Sequence, residues 1–126
     1  MQTPDAAHTS RLNDPGEFSL AESPLEGGGV LLTIAGELDI ATVPALRERL
    51  TKITDAGTRR LVLDLLGVSF MDSTALAAFV HTNMRLGDDG QMTLVIAPDS
   101  YARLIFEVAG LDGILDVVET LDHARP

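Results

Sequence analysis

The residues of this chain that could do chemistry gather in three short segments, and acids mark all of them. Glu37 and Asp39 follow one apolar run, Asp72 stands directly before the hydroxyl pair Ser73 and Thr74, and Asp99 follows another apolar run. Three such carboxylates would suit a hard divalent cation, and a hydroxyl beside a carboxylate is a candidate nucleophile or phosphoacceptor. Each alternative makes a demand on the rest of the sequence. A Ser-His-Asp arrangement needs a histidine beside Ser73. His8 and His123 lie near the two ends, and His81 falls roughly 12 Å from Ser73 by helical rise. Ser73 lacks the G-x-S-x-G setting of a strained nucleophile turn, and no P-loop or G-x-G-x-x-G fingerprint is present. A phosphoaspartate receiver with magnesium at Asp39, Asp72 and Asp99 wants a lysine near the same rim. The single lysine, Lys52, is late in a helical segment. No catalytic residue, metal site or cofactor is therefore expected. The same residues also have plain structural uses: Asp72 or Ser73 as a helix N-cap, stabilising by about 1 kcal/mol, Asp39 as a turn residue, and Asp64 as a strand residue reaching solvent or a nearby arginine.

The elements that must position these groups are legible from periodicity. Phe18-Ser19-Leu20-Ala21 alternates as a short edge strand, and Val30-Leu31-Leu32-Thr33-Ile34 is a β-rich run; Ser23-Pro24 and Gly27-Gly28-Gly29 punctuate the turn between them. From Thr42, a prospective N-cap, Val43, Leu46, Leu50 and Ile53 fall at helical spacing up to a stop at Gly57. Leu61 to Leu66 reads as a strand covered on both faces. The segment Val68 to Leu76 reads as a loop, with Phe70 and Met71 outside the strand. A second helix places Leu76, Phe79, Val80 and Met84 on one stripe and ends near Gly87. Met92 to Ile96 is another buried strand. A third helix places Tyr101, Leu104, Ile105 and Val108 on its apolar stripe and stops at Gly110. Ile114 to Val118 is a last short strand, followed by a brief polar helix or tail. Strands alternating with helices call for a mostly parallel sheet, and the opening hairpin adds one antiparallel member. In such a sheet the loops leaving the carboxyl ends of the strands share one rim, so Asp39, Asp72 and Asp99 are expected along it.

Composition narrows the partners. The 126 residues fit one domain, and 45% hydrophobic content supplies a core, built from aliphatic side chains because aromatics are only 4% and tryptophan is absent. Residues 1–16 read as a disordered tail. No apolar run approaches the roughly 18 residues of a membrane span, and no secretory signal is visible. The absence of cysteine excludes disulfides and thiolate metal sites and is compatible with a reducing cytosol. Nine basic residues against nineteen acidic give a net charge of −10. That charge repels phosphate backbones and anionic lipids, so direct nucleic-acid and membrane binding are disfavoured. The excess sits at the ends, with five acids and one base in each of residues 1–26 and 107–126, and is read as solubilising.

Gly36-Glu37-Leu38-Asp39 before one helix and Phe70-Met71-Asp72-Ser73-Thr74-Ala75-Leu76 opening another resemble the STAS-domain anti-sigma factor antagonists of bacteria. Phe106-Glu107-Val108-Ala109-Gly110-Leu111 is similar to the close of the family's third helix. The resemblance implies an α/β fold in a single STAS-like domain over residues 17–122, with residues 123–126 as a C-terminal tail. It also implies a function: binding, when unphosphorylated, to an anti-sigma factor that is a serine kinase, which releases a sigma factor in the cytoplasm. Phosphorylation at Ser73 would switch the protein off, a serine phosphatase would restore it, and Asp39, Asp72, Thr74 and Ala75 would lie in the partner-binding surface. The family commonly has glycine where this chain has Ala75, a change acceptable within a helix. The competing expectation is a STAS scaffold that is never phosphorylated, serving as a subunit of a signalling or transport assembly.

Overall fold

The computed structural model describes residues 17–124; the disordered tail expected over 1–16 lies outside them. Five strands form one sheet in the order β1-β2-β3-β4-β5: β1 (Ser19–Pro24), β2 (Val30–Leu38), β3 (Arg60–Met71), β4 (Gln91–Val95) and β5 (Asp116–Val118). β1 runs antiparallel to β2 and every other neighbouring pair is parallel. The helices are α1 (Val43–Asp55), α2 (Ser73–Leu86), α3 (Tyr101–Val108) and the short α4 (Leu121–Ala124). The single mixed-sheet α/β domain with an opening hairpin is thus the observed architecture. No helix among the described residues is long and apolar enough to cross a membrane.

Strands added one after another in the same direction, by crossovers of one hand, carry their helices to the same face of the sheet. Leu32, Ile34 and Leu38 of β2, Leu61, Leu63 and Leu65 of β3, and Met92 and Leu94 of β4 accordingly pack with side chains of α1, α2 and α3 in one large core. The alternate residues Val62 and Val95 point the other way. They meet Ala124 of α4, flanked by Leu25, Leu31, Val118 and Leu121, in a much smaller cluster. Arg60 ties α4 down, its guanidinium donating to the Ala124 carbonyl and to Gln91 Oε1. Of the tail expected over 123–126, His123 and Ala124 close this helix, with Ala124 buried, and residues 125–126 lie outside the described residues.

β3 departs most from its reading. It continues through the expected loop to Met71 because it carries two extra residues relative to β2. Thr33 and Ala35 pair with Asp64 and Gly67, and Gly36 and Glu37 pair with Val68 and Phe70. Each extra residue is a bulge that resets the side-chain alternation. The residues facing the large core accordingly change from every second position, Leu61, Leu63 and Leu65, to Leu65, Val68 and Met71, three apart. Asp64 neither reaches an arginine nor lies free: it is buried, and its carboxylate accepts the Leu66 N–H at 2.9 Å, satisfying a donor that the first bulge strands. In β2, Gly36 has φ +95 and a Cβ there would fall 2.6 Å from the Glu17 carbonyl oxygen, so the segment requires glycine.

Two helices are rotated from their expected faces. α2 buries Ala75, Ala78, Phe79, Thr82 and Leu86 and leaves Met84 72% exposed. Alanines let the helix backbone approach the sheet, and Leu76 and Val80 become flanks. In α3, Ala102 and Phe106 are buried, with Phe106 against Phe79 at 6.2 Å between ring centroids. Tyr101, Leu104 and Val108, the last 77% exposed, lie outside the core. α1 buries Val43, Leu46, Leu50 and Ile53, as its spacing predicts. The two phases of α2 make opposite statements about Phe79 and Met84. Phe79→Ala should lower unfolding free energy by about 3–5 kcal/mol, and Met84→Ala by no more than about 0.5 kcal/mol, measured by urea denaturation; comparable losses at both positions would contradict the observed face.

Candidate functional site

The register of β2 and β3 pairs Leu38 with Met71, the last residue of each strand. The chain then leaves both strands side by side, and the amide of Asp72 donates to the Leu38 carbonyl at 3.0 Å. Asp39 and Asp72 therefore emerge next to each other on the rim.

Both carboxylates are used by the backbone around them. Asp39 Oδ1 accepts the amides of Ala41 at 2.9 Å and Thr42 at 3.2 Å. Thr42 occupies the N-cap position of α1, as predicted, yet makes no side-chain cap. Its hydroxyl donates to the Glu37 carbonyl at 2.8 Å and accepts the Asp39 amide at 3.0 Å, so the turn is held by Asp39 and Thr42 together. Asp72 is the N-cap of α2. Its Oδ1 accepts the Thr74 amide at 2.9 Å and, in a very short bond, the Thr74 hydroxyl. Asp99, on the third rim loop, is exposed, and the cap of α3 is Ser100, whose hydroxyl accepts the Arg103 amide at 3.1 Å. Among the described residues no three histidine or carboxylate groups come close enough to hold a metal ion.

These bonds separate the two hydroxyls at the start of α2. Thr74 is half-buried and its oxygen is held by Asp72. Ser73, the first residue of the helix, is exposed, and its hydroxyl has no hydrogen-bond partner among the described residues. Ala75 differs from both: it is 0% exposed and belongs to the core. Two residues past Ser73 the helix has turned inward, so the Ala75 side chain has no surface with which to touch a partner, and its place in the expected contact set is corrected to a packing role.

Ser73 and Thr74 line an open groove between α1 and α2, together with Ile40, Pro44, Ala77 and Arg47. Ile40 is 79% exposed. Phe70 and Tyr101, also exposed, stack at 5.5 Å with an interplanar angle of 16°, adding an apolar surface where β3 ends and α3 begins. Sequence reasoning singled out Phe70 as unusual but missed Ile40 and Arg47 as parts of the site. The available signal was an isoleucine between Asp39 and Thr42, where neither strand nor helix spacing calls for one.

Comparison with known proteins supplies an independent reading. The model of the STAS domain matches residues 22–124. An anti-sigma-B factor antagonist of Staphylococcus aureus (strain NCTC 8325 / PS 47) is 37% identical over 86 residues, covering 68% of this chain and 80% of that protein. The crystal structure of an anti-sigma factor antagonist from Mycobacterium paratuberculosis superposes with a TM-score of 0.79 at 26% identity, covering 87% of this chain and 92% of that one. SpoIIAA shares the fold at lower identity. Its unphosphorylated form gives a TM-score of 0.67 at 21% identity, over 86% of this chain and 92% of that one. The phosphorylated form of the Bacillus protein gives 0.60 at 22%, over 86% and 96%.

The caps can be tested apart from any partner. Asp72→Ala should cost about 1 kcal/mol of stability, whereas Asp72→Asn, an equally good cap, should cost far less. Ser73→Ala should stay within about 0.5 kcal/mol of the parent. Urea denaturation of the three variants gives the ranking, and a large loss for Ser73→Ala would show that its hydroxyl is structural after all.

Proposed function

Because this chain belongs to the STAS-domain family of anti-sigma factor antagonists, we propose that it binds an anti-sigma factor with serine-kinase activity and is released when that kinase phosphorylates Ser73. The observation that carries this reading is the contrast at the start of α2. One hydroxyl is exposed and unpartnered, while its neighbour is tied to Asp72. A kinase must bring the acceptor oxygen in line with the phosphate it transfers, and Ser73 can be reached without breaking a bond that holds the fold. Asp39, Asp72 and Thr74 frame it, and Ile40, Pro44 and Ala77 offer apolar surface for a partner to bury. The chain acts by binding in this scheme, in the cytoplasm, and a serine phosphatase resets it. The existence of SpoIIAA in phosphorylated and unphosphorylated forms, as those structures are described, supports carrying the cycle over.

Electrostatics favour dissociation over unfolding. A phosphoserine carries nearly two negative charges at neutral pH. At about 6 Å from the Asp72 carboxylate, the repulsion is roughly 1.4 kcal/mol at the dielectric of water and about 5.5 kcal/mol at an effective value of 20. A helix N-terminus offsets about 0.3–1 kcal/mol of this. The solvated phosphoprotein therefore stays folded. In a desolvated interface repulsion dominates, and about 1.4 kcal/mol already weakens binding tenfold.

Ser73→Ala should bind the cognate kinase and remain bound after ATP is added. Ser73→Asp should give an unchanged circular dichroism spectrum and bind at least about tenfold more weakly. Intact-mass and peptide analysis after incubation with kinase and ATP identifies the acceptor; phosphate found only on Thr74 would falsify the assignment. Recovery of the endogenous chain with transport subunits and no kinase would favour the unphosphorylated scaffold.

A further inference from the structure

The groove beside Ser73 has one charged side chain in its lining, the guanidinium of Arg47 from the second turn of α1. Arg47 is exposed and has no ion-pair or hydrogen-bond partner among the described residues. The other arginines near acids are engaged: Arg49 with Glu22, Arg85 with Asp55 and Arg103 with Glu107. Asp39 and Asp72 make no ion pair with Arg47. Asp39 Oδ1 is held by the amides of Ala41 and Thr42, Asp72 Oδ1 is held by Thr74, and neither residue lines the groove. On a chain of net charge −10, Arg47 is thus the one charged group among the described residues lining this groove, beside the apolar Ile40, Pro44 and Ala77.

We propose that Arg47 is the internal counter-ion of a phosphate on Ser73. The guanidinium fork donates two N–H bonds to two phosphate oxygens, a geometry that suits arginine better than lysine. Modification then has two effects at one place. It adds negative charge to the docking surface, and it withdraws from that surface the cation that the unmodified groove offers to an acidic group of a partner. Pairing also relieves the repulsion from Asp72 in the free phosphoprotein.

The inference rests on the reading of Ser73 only in requiring a phosphate there, so its test needs no kinase. Phosphoserine is installed at position 73 during translation, in the otherwise unaltered chain and in Arg47→Gln, and the phosphorus resonance of each is titrated against pH. A nearby cation favours the dianion and lowers the second ionisation, which is near 6 for phosphoserine. The midpoint should lie about 0.2–0.7 unit lower with Arg47 present than in Arg47→Gln, the range an exposed ion pair produces. The difference should shrink toward zero in about 1 M salt. Arg47→Lys, which keeps the charge, should retain part of the shift. Arg47 lies outside the core, and matching circular dichroism spectra confirm that the variants are folded. Equal midpoints for the parent and Arg47→Gln at low salt overturn the proposal and leave the kinase experiment untouched. Failure of a kinase to modify Ser73 would, conversely, leave this titration standing.

Discussion

The amide of Asp72 donating to the carbonyl of Leu38 closes the parallel ladder between β2 and β3 at its carboxyl end. That bond makes both strands finish at one level, with Leu38 and Met71 paired and buried beneath the rim. Everything exposed above follows from it. Asp39 turns its carboxylate onto the first amides leading into α1, and Asp72 does the same for α2. Two helices thus start side by side over adjacent strand ends. The first amides of a helix lack carbonyls within it; Asp72 serves as the side-chain cap of α2, whereas Asp39 holds the turn before α1 and gives its own carbonyl to the Val43 amide. Carboxylates that look poised for chemistry in the sequence are in the first instance what lets the chain change from strand to helix within one or two residues.

The consequence for Ser73 is positional. The residue after an N-cap is helical but has no preceding turn to pack against, so its side chain projects from the end of the element. Thr74 is drawn back to the cap, and Ala75 has already rotated into the core. Within three consecutive residues the chain presents an exposed hydroxyl, a tethered hydroxyl and a buried methyl. A modification of the first can therefore leave packing alone, its energetic effect falling on the rim side chains and on whatever approaches them.

Much of this was readable from residue types and their spacing, and the exceptions share a cause. Period-two burial in β2 and period-3.6 burial in α1 follow directly from Leu32, Ile34 and Leu38 and from Val43, Leu46, Leu50 and Ile53. The stops at Gly57, Gly87 and Gly110 follow from their positive φ. β3 defeats the same method because two bulges change its period partway, so the last third of the strand reads as a loop. α2 and α3 defeat it because hydrophobicity ranks Met84 and Val108 above Ala75, Ala78 and Ala102, whereas close approach to the sheet favours the small side chains. The Asp72-Ser73 pair was recognisable from its setting. Arg47 was not, because a cation on a helix surface acquires meaning only from the segment folded beside it, and that segment begins at Ser73.

Sending three helices to one side of the sheet leaves the reverse side almost bare. There the short α4, anchored through Arg60, is what keeps Val62 and Val95 from water. Four residues of helix thus shield the middle of a five-stranded sheet. A chain cut before Leu121 would keep its main core and its rim yet present a naked aliphatic plane, the kind of surface on which proteins clump. The cover over Val62 and Val95 and the rim at the carboxyl ends of β2 and β3 share no side chain, so α4 can fail without disturbing the rim, and the rim can be modified without loosening α4.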